Sequence, residues 1–199
     1  MSFSTGGLFL NESLIIAGLR ERCDNWDAVK KRALEVRALP FRKSSSSTRS
    51  IREIVSRLEY LSASELDLLL TSDSSEQKNI LWLAICRAYQ FVAEFSVEVV
   101  NDRYLAFRTE LLHNDFDQFF GEKAEWHPEL DSLSASTRSK VRQILFRMMR
   151  EANILSDDDQ IKGAVLTPRL VELIRSHNLR ELQFFPGAAR YMQGKRDEN

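Results

Sequence analysis

The chain is poor in the residues that punctuate or staple a fold. Seven glycines and four prolines in 199 residues leave little material for a turn-rich β architecture, and 29% charged residues favour solvated helices instead. Two cysteines, Cys23 and Cys86, supply no disulfide framework and read as reduced, packed thiols, which suits the cytoplasm. The three histidines, His113, His127 and His177, lack the short His/Cys spacings of structural zinc sites, so no metal is expected. Long uncharged apolar runs are also missing. Residues 1–7 lack a basic n-region, and Asn11 and Glu12 interrupt the run from Leu8 to Leu19, so no signal peptide is expected. Ile80 to Val100 has the length of a membrane span but carries Arg87, Glu94 and Glu98. A charge at mid-bilayer costs roughly 2.5–3.5 kcal/mol, so this segment is expected to be a buried helix of a soluble protein with no membrane partner.

Catalytic signatures are scarce as well. No phosphate-cradling loop, nucleophile elbow or paired metal carboxylates can be found; Gly6-Gly7 is too short, and Asp157–Asp159 reads as a solvated turn. The expectation is a protein that is not an enzyme and needs no cofactor.

A formal net charge of −1 hides strong segregation. Residues 30–57 hold nine basic side chains (Lys30, Lys31, Arg32, Arg37, Arg42, Lys43, Arg49, Arg52 and Arg57) against Glu35 and Glu53, a local +7. Residues 110–131 hold seven acids against Lys123, a local −6. One basic face and one acidic face are the implied surfaces.

Ser-x-x-Glu/Gln capping boxes place helix starts at Ser50/Glu53, Ser62/Glu65 and Ser74/Gln77. Helices are expected at about 11–22 and 27–38, followed by a connector Leu39–Thr48 whose serine tract, Ser44–Ser47, reads as a mobile loop. From Gln77 to about Tyr104 the apolar pattern predicts one central helix, with Trp82, Tyr89, Phe119 and Phe120 assigned to the core rather than to base stacking.

From Trp126 to Leu173 the pattern reads as a helix-turn-helix elaborated into a winged helix. The elements are a short helix His127–Leu133, a turn Ser134-Ala135, a long helix Ser136–Asn153, and a small β-hairpin through Ile154–Val165. Thr167 then caps a last helix. The expected fold is mainly α, with a helical N-terminal region, 1–110, packed on a C-terminal winged-helix-like region with a small β-hairpin, 111–199.

In such a module the second helix lies in the major groove. Its basic residues Arg138, Lys140, Arg142, Arg147 and Arg150, together with Gln143, are therefore candidate DNA contacts, and no acid occurs between 136 and 150. The opposing reading is a solvated helix face. With Asp157, Asp158 and Asp159 where a wing would approach phosphate, either the wing is held off the duplex or Lys162 alone reaches it. A second candidate surface comprises Arg37, Arg42, Lys43, Arg49 and Arg52, which read equally well as a backbone-tracking patch or a soluble linker.

Three stretches, residues 2–13 (SFSTGGLFLNES), 47–55 (STRSIREIV) and 136–145 (STRSKVRQIL), resemble the BrxA family, small proteins of BREX bacteriophage-exclusion systems. The resemblance spans the chain. It implies an all-helical or nearly all-helical double-stranded DNA-binding protein that acts beside a methyltransferase, an ATPase and other BREX components; it assigns no individual contact residue. Two other functions remain in view. The acidic 110–131 segment and the apolar Leu179–Met192 fit a protein-interaction adaptor, and an unrecognised nuclease would reveal itself by metal-dependent cleavage of plasmid DNA.

Overall fold

The computed structural model describes residues 6–40 and 44–192. Helices α1 (Leu10–Arg20) and α2 (Trp26–Glu35) fall close to their expected positions, with Asn25 capping α2 through a bond from the Ala28 N–H at 2.9 Å. Helix α3 (Ser44–Leu58) differs. The serine tract that reads as a loop is its first turn, and Ser50 lies inside the helix instead of capping it. Its partner in the supposed capping box, Glu53, instead takes two hydrogen bonds from Arg57, one turn on. The burial of Ile51, Ile54, Val55 and Leu58 against α1 and α2 explains why helix wins here: serine is a mediocre helix former, and tertiary packing overrides it.

Helix α4 (Ala63–Thr71) begins with a true capping box, Ser62/Glu65. Helix α5 (Ser74–Ala88) is capped by Asp73, not Ser74, and Gln77 donates to the Ser72 carbonyl instead. Every residue from Asn79 to Cys86 is buried, so α5 is the core helix. It is not continuous to Tyr104. At Tyr89 the backbone becomes extended and the chain bends by 116° into α6 (Gln90–Phe95), a π-helical turn (Ser96–Asn101) and α7 (Asp102–Leu105). No single helix is long and apolar enough to cross a membrane among the described residues.

Helices α8 (His113–Ala124), α9 (Pro128–Asp131) and α10 (Ala135–Glu151) follow. Phe91 and Phe95 of α6 meet Phe116 and Phe119 of α8 edge-on, with centroids 5.2–5.9 Å apart, which confirms the phenylalanines as core. Ser134 caps α10, and Thr167 caps α11 (Pro168–Asn178).

The winged-helix expectation fails at the wing. The described residues contain no β-strand, only isolated bridges at Leu155–Ile161 and Glu110–Gln160. Asn153 leaves α10 in the left-handed region, and Asp159 repeats that conformation at the turn. Beyond the turn, the Ile161 N–H donates to the Thr109 carbonyl at 2.7 Å and the Leu111 N–H to the Asp159 carbonyl at 2.9 Å. The returning segment therefore shares its hydrogen bonds with the α7–α8 connector. Gly163 then passes beneath Tyr104, where a Cβ would stand 2.3 Å from the phenol oxygen, and Ala164 donates to the Pro186 carbonyl. A pair that turns outward after one bridge cannot extend into a hairpin.

The segment after α11, which the adaptor reading offers for docking, folds back as two 3₁₀ turns, Leu179–Phe184 and Ala188–Tyr191. Leu182, Phe185 and Ala188 are buried, and the Trp82 indole donates to the Phe184 carbonyl at 3.0 Å. Buried hydrophobic residues from Leu8 to Ala188 form one continuous cluster.

Charge is buried where these parts meet. Arg87 of α5 donates to both oxygens of Glu65 (2.8 and 2.9 Å) and to Glu181 (2.8–3.1 Å), and its Nη1 reaches the Tyr60 carbonyl. The three side chains are 5%, 1% and 8% exposed. Burial alone would raise the Glu65 pKa, but the bonds from Arg87 and from the Ser62 N–H outweigh it and hold the carboxyl below its ordinary value. Removal of one partner from such a pair leaves a buried charge uncompensated. Arg87→Ala is expected to lose about 3–5 kcal/mol of stability, read from the midpoint of denaturant unfolding. A depressed carboxyl pKa stabilises above the unfolded value, about 4.3, and that contribution disappears as pH falls through the folded value. The acid limb of wild-type stability is therefore expected to be steeper than that of Glu65→Gln; equal limbs would contradict this account.

Candidate nucleic-acid interface

Helix α10 turns its apolar stripe inward as the spacing requires: Val141, Ile144, Leu145, Met148 and Ala152 are all buried. Its outward face is less basic than its sequence. Arg142 pairs with the Asp117 carboxylate of α8 at 2.5 Å. Arg138 approaches the same carboxylate at 3.3 Å, donates to the Asp117 carbonyl and lies over the Phe120 ring at 4.6 Å. Arg147 bonds Glu151 at 2.7 Å, and Arg150 bonds Asp159 at 2.6 Å. Lys140 and Gln143 are exposed, with no hydrogen-bond or ion-pair partner among the described residues. Lys162, the one wing cation, donates to the Asn153 side chain at 3.1 Å.

Three acids thus answer four arginines. Asp117 belongs to the acidic 110–131 segment, so part of what reads as a separate acidic face is a counter-charge to α10. Asp115 of the same segment pairs with Arg103 at 2.8 Å, and Lys123 holds Glu94 and Glu98, each at 2.8 Å. Attraction to these two carboxylates raises the Lys123 pKa against the opposing effect of burial.

The α2–α3 region keeps its charge. Arg37 follows α2 in a left-handed conformation, and Arg49 and Arg52 lie three residues apart along α3. These three and Lys31 are exposed and lack an ion-pair partner among the described residues. Arg42 and Lys43 lie outside the described residues. Lys30 and Arg32 pair with Asp27 and Glu35 on their own helix.

Arg57 takes a different role. It is buried, bonds Glu53 at 2.8 and 3.1 Å, donates to the Gly7 carbonyl at 2.7 Å and lies over the Phe9 and Tyr89 rings. The Tyr89 hydroxyl donates to the same Glu53 oxygen; burial and that bond push its pKa up to about 12. The i,i+4 spacing of Glu53 and Arg57 was the available sequence signal for this pairing. Opposite Arg57, the Leu8 N–H donates to Glu151 at 2.5 Å, and a Cβ on Gly7 would stand 2.1 Å from that carboxylate. A side chain at Gly7 would therefore have to displace the Glu151 carboxylate.

The sequence model of the BrxA family matches residues 1–178. The chain belongs to the BrxA family. It is 27% identical over 178 residues to a BREX protein BrxA of Escherichia coli O9:H4 (strain HS), covering 89% of this chain and 79% of that one. It is 22% identical to a BREX protein BrxA of Paramagnetospirillum magneticum (strain ATCC 700264 / AMB-1), covering 87% and 88%. In fold, this BrxA-family chain is similar to the crystal structure of an uncharacterized protein from Magnetospirillum magneticum, with a TM-score of 0.76, 22% identity and 94% coverage of both chains. That likeness shows the fold.

The pairing pattern makes α10 sensitive to charge reversal. Arg142→Glu would face Asp117 with a like charge and strand a partly buried carboxylate, at an expected cost of about 1–2 kcal/mol. Lys140→Glu, on an open face, is expected to change stability by less than about 0.5 kcal/mol. Thermal melts of the two variants check this; equal melting temperatures would dismiss the Asp117 clamp.

Proposed function

We propose that this chain is a non-enzymatic, double-stranded DNA-binding component of a BREX phage-defence system, acting in the cytoplasm with other BREX components and showing little sequence preference. The observation that carries the DNA reading is the row of exposed cations along α2 and α3, Lys31, Arg37, Arg49 and Arg52, which no acid neutralises among the described residues. Cations already engaged by Asp117, Glu151 and Asp159 must break an ion pair to reach phosphate; unpaired ones need only release solvent and counterions. The α2–α3 face is therefore the principal contact, and α10 contributes mainly through Lys140 and Gln143. The names of the relatives, BREX protein BrxA, support the placement in phage defence.

A second reading, a protein-interaction adaptor, is favoured by a groove of about 520 Å³ between α8, α9 and α10, floored by Phe120, Leu130 and Leu133, with exposed Trp126 nearby. Glu125 and Asp131 line its edge.

Fluorescence anisotropy on a duplex across a salt series separates the two. Four to five neutralised phosphates imply a log–log slope of roughly −3.5 to −4.5. Arg37→Gln/Arg52→Gln is expected to flatten the slope by about two units, and Arg147→Gln/Arg150→Gln by less than one. No binding of any duplex at low salt would transfer the case to the adaptor.

A further inference from the structure

Glycine inside a helix needs a reason, because it lacks a side chain to pack and disfavours the helix relative to alanine. Gly121 lies within α8 outside the left-handed region, and a Cβ there would meet nothing within 4 Å. The packing of the chain does not call for glycine at this place. Gly121 opens onto the groove of about 520 Å³ between α8, α9 and α10, which Phe120, Leu130 and Leu133 floor. That volume lies within the roughly 300–1,000 Å³ of ligand-binding clefts. Trp126, in the turn between α8 and α9, is 81% exposed. Leu130 also lines a smaller hollow of about 210 Å³ with Phe91, His127 and Glu129, so the concave surface continues past α9.

The charge of this surface is what ion pairing leaves over. Glu122, Glu125, Glu129 and Asp131 are exposed and have no Lys or Arg partner among the described residues; Glu129 approaches His127 at 3.4 Å. Glu125 and Asp131 edge the groove itself. Arg138, the cation that lines it, is already held by Asp117.

We infer that this surface docks a basic amphipathic helix of a partner protein, whose apolar side chains enter the groove over Gly121 and whose lysines or arginines face Glu125, Glu129 and Asp131. Other occupants fit less well. Duplex DNA would meet unpaired carboxylates here and be repelled. An extended peptide has no sheet edge to join, since the described residues contain no β-strand. A second copy could offer the cations of its α3, but the apolar side chains of that helix, Ile51, Ile54, Val55 and Leu58, are buried and cannot reach the groove floor. The inference goes beyond the DNA reading and rests on the adaptor reading only in taking a protein as the partner.

The probe is a labelled 14-residue leucine–lysine peptide with leucines at i, i+3, i+4 and i+7, titrated into the full chain. Fluorescence anisotropy and the amide resonances of residues 118–135 follow it. The peptide is expected to bind and to shift these amides. An alanine–lysine peptide of equal charge should bind about tenfold more weakly, because it brings the charge without the anchors. Gly121→Leu fills the groove from α8. Its melting temperature should not fall, since the new side chain enters open space and leucine favours helix. Its affinity for the leucine–lysine peptide should drop on the order of tenfold while duplex affinity stays unchanged. Glu125→Gln/Asp131→Asn should weaken the same peptide and make its binding less sensitive to salt. Equal affinity for the two peptides, or equal affinity of wild type and Gly121→Leu, overturns the dock. Binding that shifts only amides outside 118–135 refutes the groove and leaves the adaptor reading standing on another surface. Absence of peptide binding overturns the dock and removes the groove as support for the adaptor. Self-association of the wild type in sedimentation, abolished by Gly121→Leu, would assign the groove to a second copy and overturn the proposal.

Discussion

The fold depends on an arginine whose side chain is almost wholly withdrawn from water, 5% exposed. Arg87 leaves α5 one residue before that helix ends, and its guanidinium joins Glu65 at the start of α4 to Glu181 in the C-terminal 3₁₀ segment. Two carboxylates around one guanidinium leave a net negative charge in a desolvated place, a costly arrangement unless donors and acceptors are matched. Here they are: Arg87 also reaches the Tyr60 carbonyl, and Glu65 accepts the N–H of its own helix cap. Apolar burial alone could bring α4, α5 and the returning C-terminus together in several registers. The forked hydrogen bonds penalise all arrangements in which an ion is stranded. The 116° bend begins two residues later, so the same lock fixes where the core helix stops.

A second buried network works on the other side. Glu53 receives Arg57 and the Tyr89 hydroxyl, and Arg57 holds the Gly7 carbonyl, so the N-terminal segment, α3 and the bend are tied through one carboxylate. Glu151 completes the tie from α10 through the Leu8 N–H. Arg57, which reads as one of a basic stretch in the linear sequence, is here used internally.

This use of charge decides which surface remains available to an anionic partner. Coulomb attraction weakens when a cation already has a carboxylate within hydrogen-bonding distance, so the usable charge of a surface is the count left after pairing. Asp117 lies twenty-one residues before Arg138 and twenty-five before Arg142, too far for any helical spacing rule to connect them. On α3 no acid pairs with Arg49 or Arg52 among the described residues. The helix that resembles a recognition helix is therefore largely self-neutralised, and the plainer one keeps its field.

Local signals were legible wherever the determining interaction is local. The 3.6-residue apolar period placed α1, α2 and α10 and identified the buried stripe Val141–Ala152; Ser62/Glu65 marked the start of α4, and Thr167-Pro168 the start of α11. The charge bias of residues 30–57 was readable in the same way. Three features were not. Serine preference suggested a loop at 44–47, where packing of Ile51 and Val55 extends the helix backward. Alternation suggested a hairpin at 154–165, where the arms share one bridge and its flanking hydrogen bonds before the α7–α8 connector and the C-terminal segment take the others. Continuous apolarity suggested one helix through Tyr89, where buried ion pairs and a phenolic hydrogen bond turn the chain. Composition and periodicity determined that this protein is helical and which faces turn inward, because those follow from contacts within a few residues. The tertiary structure decided which charges stay free and where the chain bends, because those depend on partners up to 143 residues away in sequence.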